Sequence, residues 1–326
     1  MPDTWITNEQ SRPRYRAECP LLWRSPGVAQ LGEGRLHRVL PLDQTSAQWL
    51  LALDGLRTVA ALRAEFADRE PGPAHYAQLL WIAAESGAID DAGAMPQAWR
   101  LMSVSERDAA SADHSAALLT LGSSTLADQT VTLRHSTRFA LTGAGVRSAP
   151  VSMTVAIITA MRAAGLTFTS RLEEAHLHII VGMHPVVGAE MAAIEVSQPA
   201  IAHLFVAAYG DRAVAGPLVI PGVTSCLRCS YLHTRDADHH WAGVSMQLHA
   251  AISRLPQLPI DRLLAQLVAS QAARLARAWV DSPVVVGAWR NLAYEIRLPD
   301  GAVDAQARPA HPLCQCQWVL EPAVAG

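Results

Sequence analysis

Two cysteine pairs constrain the fold of this chain more than any other feature. Cys226 and Cys229 form C-x-x-C within "PGVTSCLRCS", Cys314 and Cys316 form C-x-C within "HPLCQC", and 85 positions (314 − 229) separate the pairs. Two close pairs on turns can supply four thiolates to one tetrahedral ion, so the fold must bring both segments to one place. The first reading is therefore structural zinc on Cys226, Cys229, Cys314 and Cys316. Two others stand beside it. A thioredoxin-like redox pair would leave the tail cysteines unexplained, and catalytic zinc needs an open position that four sulfurs do not leave. A disulfide framework is a poor competitor in a reducing compartment. Cys19, the fifth cysteine, reads as an ordinary thiol.

The chain has 326 residues, half of them hydrophobic, which is roughly two domains with a real core. The opening "MPDTWITNEQSRPRYRAE" carries no apolar stretch after its charges, and no later run of about eighteen apolar residues is free of charge. A cytoplasmic protein with no membrane partner is expected. The formal charge of −3 gives no general attraction for nucleic acid. All 26 basic residues are arginine. Mechanisms that need a lysine, as a Schiff base or as a compact charge on phosphate, are excluded unless arginine or another chain stands in.

Along the chain, Leu21 to Leu42 reads as short apolar runs broken at Gly27, Gly32 and Gly34, a small antiparallel sheet of about three strands. The period then turns helical. "DQTSAQWLLALDG" places Ala47, Leu50 and Leu51 on one face, "RTVAALRAEFADR" repeats the device with Val59, Leu62 and Phe66, and "AHYAQLLWIAAESGAI" follows as a third helix. This is a winged-helix-like unit of three strands and three helices over residues 19–93. Residues 94–114 are weakly periodic and read as a linker. Residues 115–326 alternate strand and helix signals: "RFALTGAG", a helix over "APVSMTVAIITAMRAAG" closed by Gly165, then the strands "LTFTS" and "HLHIIVGMHP". That order predicts βαβ units and a parallel sheet. After the first cysteines, "LPIDRLLAQLVASQAARLARAWV" is a long helix with Asp261 at its start. The runs "SPVVVGAWRNL" and "YEIRLPDG" then read as strands. The fold class is α/β.

"LTGAGVRSAP" follows a strand and opens a helix, the context of a nucleotide-phosphate loop. Gly143 and Gly145 are in place, but Ser148 stands at the third glycine position, and Ser170 stands where an acidic residue would grip a ribose. A βα turn that retains only its shape accounts for the motif equally well. Among the histidines, His239 and His240 read as a solvated helix start, and His176 and His178 alternate on a strand with no nucleophile to serve.

The pattern "GPLVIPGVTSCLRCSYLHTRDADHHW" with the tail "HPLCQC" resembles the ThiF/MoeB-like fold of bacterial cyclodehydratase-associated proteins, the leader-peptide-binding partners of azoline-forming YcaO enzymes. The likeness covers residues 115–326 loosely. It implies a Rossmann-like domain whose four cysteines hold structural zinc, and it implies homodimers. The first unit, through "LALDGLRTVAALRAEF", is similar to PqqD-like peptide-recognition elements, which hold a leader peptide as an added strand. Carried over by position, the groove lies between Leu36, His37, Arg38, Val39 and Leu40 on one side and Tyr76, Leu79 and Leu80 on the other.

Active ThiF/MoeB-type adenylyltransferases use a glycine-rich loop, an acidic residue after the second strand, arginine and lysine on the triphosphate, and an aspartate for magnesium. Here the loop is incomplete and the lysine absent, which forfeits electrostatic stabilisation of the transition state. ATP and magnesium are therefore not expected, and the expected protein is a pseudo-enzyme that presents a peptide or protein to a separate modifying enzyme. Its rivals are an adenylyltransferase in which Arg147 or Arg171 replaces the lysine, and a DNA-binding regulator. The third helix of the first unit carries no arginine or lysine for a DNA groove.

Overall fold

The computed structural model describes residues 4–33, 37–65, 71–94, 103–121, 124–144, 150–185, 201–281 and 289–317. The chain divides into two compact units, Met1–Thr132 and Leu133–Gly326.

In the first unit, β1 (Pro13–Tyr15) is followed by β2 (Leu21–Ser25), β3 (Val28–Leu31) and β4 (Arg38–Pro41). The last three form one antiparallel sheet in the order β2-β3-β4. Gly27 turns the first hairpin at φ +77°, a left-handed conformation that favours glycine. Then come α1 (Gln44–Leu51), α2 (Val59–Glu65) and α3 (Pro73–Glu85). Asp43 caps α1 by accepting from the Ser46 backbone N–H at 2.8 Å. The strand β5 (Ile89–Asp91) returns antiparallel to β1, and Arg14 clasps Asp90 with Nη2 to Oδ2 at 2.8 Å. The core is Leu31, Leu40, Leu50, Leu62, Tyr76 and Leu80, with Trp49 edge-on to Tyr76. Ala47, Leu50, Val59 and Leu62 are buried as the helical period predicts. Leu51 is instead half exposed and Trp49 takes the core position; Phe66 and Gly34 lie outside the described residues. Residues 104–121, within and beyond the stretch read as a linker, form helix α4 (Val104–Leu121), followed by α5 (Ser124–Ser136).

The second unit is built on a seven-stranded sheet. Its strands are β6 (Arg138–Gly143), β7 (Thr167–Phe168), β8 (Leu177–Gly182), β9 (Ala202–Tyr209), β10 (Arg212–Val219), β11 (Leu292–Arg297) and β12 (Ala302–Ala307). The order is β12-β11-β10-β9-β8-β6-β7. The strands β7, β6, β8 and β9 run parallel, whereas β10, β11 and β12 are antiparallel. The sheet is thus mixed, not parallel throughout. The reason lies in two short connections: Gly210 and Asp211 alone join Tyr209 to its partner Arg212, and Leu298–Gly301 join Arg297 to Ala302. Loops of two and four residues reverse a chain but cannot carry a crossover.

Helices α6 (Val151–Ala163), α7 (Leu227–Ala237), α8 (Trp241–Ser253) and α9 (Arg262–Asp281) complete the unit. Asp261 starts α9, its Oδ1 accepting from the N–H groups of Leu263 and Leu264 at 2.8 and 3.0 Å. Leu264, Val268, Ala272, Leu275 and Ala276 recur at helical spacing on α9 and pack with Met153, Ile157 and Met161 of α6 against one sheet face. The other face carries Ile180, Phe205, Val214 and Ala293 against Leu227, Cys229 and Leu232. Strands covered on both sides read as continuous apolar runs, which is how "HLHIIVG" is written. No helix among the described residues is long and apolar enough to cross a membrane.

Candidate metal centre and its surroundings

The four predicted cysteines meet on the second face of the sheet. Asn291 explains why. Its side-chain Oδ1 accepts from the Ser225 N–H at 2.8 Å, one residue before the first cysteine. Its main-chain oxygen accepts from the Arg308 N–H at 2.6 Å, just after β12. One residue, held at φ +54°, therefore ties the C-x-x-C segment to the strand that leads to the tail pair. Ser225 Oγ also donates to the Arg308 carbonyl. On the tail side, His311 accepts from the Leu313 N–H at Nδ1 and meets the Asp236 carboxylate of α7 at Nε2, 2.8 Å away.

The sulfurs of Cys226 and Cys229 lie 3.8 Å apart, those of Cys226 and Cys314 3.5 Å, and those of Cys229 and Cys316 3.4 Å. All four are within 4.8 Å of one another, and the group is suited to hold a metal ion. Sulfurs placed about 2.3 Å from a tetrahedral ion would be about 3.8 Å apart, so the donor set fits zinc. The cysteines are free thiols. The separations are far above the roughly 2.0 Å of a disulfide bond. Burial works against ionisation of Cys229, but N–H groups of His311 and Cys226 outweigh it and hold that thiol below its usual range. Burial, together with the hydrogen bond to Cys229, pushes Cys316 up to about 12. A divalent cation bound by the four sulfurs would displace their remaining protons.

Gly143 ends β6, while Gly145, Ser148 and Arg147 lie outside the described residues. Beyond the ends of β6 and β8 is a cavity of about 270 Å³. Its lining, which includes Val151, Val181, Met183, Leu258 and Ile260, carries no charged side chain among the described residues. Ser170 is exposed, and Arg171 is paired with Glu174 at 2.8 Å. Of the residues assigned to a peptide groove, His37, Arg38 and Val39 are exposed on or beside β4. Leu40, Tyr76, Leu79 and Leu80 are core residues, 6% exposed or less, so they support the sheet from beneath and do not line its surface. Leu36 lies outside the described residues. Spacing alone could not separate these roles, because the inward face of a strand and of a helix carries the same residue types as a groove.

A network around Glu295 went unnoticed in the sequence. Arg212 and Arg297 both pair with Glu295, at 2.9 and 2.8 Å, and Gln306 donates to its second oxygen at 2.6 Å. The signal was available in "YEIR", where a glutamate falls on the inward phase of a strand.

No family model matches the chain, and no curated protein matches it by sequence. Solved structures do share its fold. The heterocyclase TruD superposes with a TM-score of 0.66 at 18% identity, over 94% of this chain and 42% of TruD. A heterocyclase in complex with substrate and cofactor gives 0.65 at 19%, over 94% and 39%. E. coli MccB with MccA gives 0.51 at 12%, over 94% and 99%. The chain thus spans about two-fifths of the heterocyclases' length and nearly all of MccB's.

Proposed function

We propose that this chain binds a precursor peptide or small protein and presents it to a separate modifying enzyme, as in azoline or bacteriocin-type peptide biosynthesis. The first unit would be a PqqD-like recognition element, and the second a degenerate ThiF-like domain held by structural zinc. The observation that carries the reading is the sheet of the first unit. Its strand β4 is an edge among the described residues, with Arg38 and Val39 exposed on it. An extended peptide can add to such an edge through main-chain hydrogen bonds. The fold shared with heterocyclases, one of them in complex with substrate, supports the same role.

The test is peptide binding by fluorescence anisotropy, with a panel of labelled candidate precursor peptides, MccA among them, as ligands. Val39→Pro removes a main-chain donor from β4 and should abolish binding without lowering zinc content. Unchanged binding would remove the edge from the model.

A second reading has a specific observation behind it: MccB, matched over its whole length, has been solved with AMPCPP and MccA. On that reading the chain adenylates a carrier. Magnesium-dependent stabilisation by ATP, or pyrophosphate release with a peptide substrate, would establish it in place of the first.

A further inference from the structure

A second cavity, of about 340 Å³, opens on the antiparallel half of the sheet in the second unit. Phe205 and Ala293 are among its apolar lining, Arg212, Glu295, Arg297 and Arg308 are its charged groups, and Ser230 of α7 also lines it. Three guanidinium groups against one carboxylate leave a net charge of +2 on the wall. Two of the three are committed to Glu295, which is itself 6% exposed. The third is not: Arg308 donates to the amide oxygen of Gln306. Burial pushes the Arg308 pKa down, and the charge of Glu295 opposes the shift only in part. Ser230 is 8% exposed, and its Oγ is buried with no hydrogen-bond partner among the described residues. A buried hydroxyl without a partner is costly unless something else satisfies it.

We propose that this cavity binds an anionic group, a carboxylate or a phosphate, carried by a ligand with a small apolar portion. Arg308 supplies the charge-assisted hydrogen bonds, Ser230 donates a hydrogen bond from its hydroxyl, and Val214 and Pro217, which also line the cavity, take the apolar part. Arg212 and Arg297 remain bound to Glu295, whose carboxylate cancels one of their two charges, so the pair of arginines still adds a net positive potential to the wall. The site is separate from the cavity beyond β6 and β8, and it does not depend on the peptide reading of the first unit.

The experiment uses the full, metal-loaded chain and three probes: inorganic phosphate, N-acetyl-leucine, and N-acetyl-leucine amide. Binding is followed by titration calorimetry and by the thermal midpoint. Either anion should bind and the neutral amide should not, and added salt should weaken the binding. Phosphate without N-acetyl-leucine assigns a phosphate ligand, and the reverse assigns a carboxylate. Arg308→Gln keeps an amide donor for Gln306 but removes the charge, and should weaken the anion by about tenfold or more. Ser230→Ala, checked for unchanged metal content, should weaken it several-fold and serves as the variant if Arg308→Gln fails to fold. Absence of binding by both anions, equal binding of the amide, or unchanged affinity in both variants would overturn the proposal.

Discussion

Cys226 and Cys314 stand with their sulfurs 3.5 Å apart although 88 positions separate them. Nothing covalent holds them, and a metal ion bound by both sulfurs would. The first expected outcome follows. The purified chain should contain about one zinc per molecule by elemental analysis, and Cys314→Ser should lose it. A structural zinc site contributes several kcal/mol of folding free energy. At roughly 2–4 °C per kcal/mol for a unit of this size, the thermal midpoint should fall by about 10 °C. Chelator should reproduce the fall in the unaltered protein. Equal midpoints with and without metal would show that Asn291 and His311 hold the two segments unaided.

The cysteine cluster was legible because a metal site is written in residue type and spacing, and both survive in sequence. The parallel sheet that the element order predicts holds only for the earlier strands, because the direction of the later ones is decided by Gly210 and Asp211, two residues between long apolar runs that serve equally well in parallel or antiparallel pairs. Helix periodicity found Val59, Leu62 and Leu50 but misjudged Leu51, since α1 turns Trp49 inward to meet Tyr76. The cavity around Arg308 was beyond reach of the sequence. Its walls come from four strands and a helix, and no local pattern announces a guanidinium group that hydrogen-bonds an amide in place of a carboxylate.

His178 gives a pH dependence. It is buried on β8 with Nε2 2.7 Å from Thr142 Oγ1. Burial, reinforced by the neighbouring His203, lowers its pKa to about 4. The unfolded chain therefore takes up a proton near pH 6.5 that the folded chain refuses until about pH 4. The contribution is fully present above pH 6.5 and is lost as the pH falls towards 4, to a limit of about 3 kcal/mol. Urea unfolding between pH 7 and 4.5 should show this slope. His178→Gln keeps a partner for Thr142 and should flatten the difference curve across that window. A curve parallel to the unaltered protein's would place the slope elsewhere.

Gly182 closes β8 where the fold has no room for a side chain. A Cβ there would lie 2.4 Å from Phe205 Cζ, and Phe205 is fully buried. Gly182→Ala should destabilise the second unit by about 1–3 kcal/mol. Phe205→Leu costs stability alone but makes space, so the double variant should lose less than the sum of the single losses. Strict additivity in a urea-midpoint cycle would mean that the strand shifts and the ring does not.

Arg134 and Asp281 join the end of α5 to the end of α9 through two parallel bonds, Nε to Oδ1 and Nη2 to Oδ2, both 2.7 Å. The partners are not equivalent. Arg134, in the last turn of its helix, is favoured by the negative end of the helix dipole; Asp281, at the end of its own helix, is opposed by it. Arg134 is 5% exposed, so removing the carboxylate strands a charge away from water. Asp281→Ala should therefore cost about 3 kcal/mol. Asp281→Asn keeps an acceptor but not the charge and should fall between. Replacing both residues by leucine and alanine respectively removes the stranded cation, so the pair should recover much of what Asp281→Ala alone loses. Chemical denaturation of the four proteins decides it, and a double variant less stable than Asp281→Ala would mean that packing around Arg134, not its charge, carries the cost.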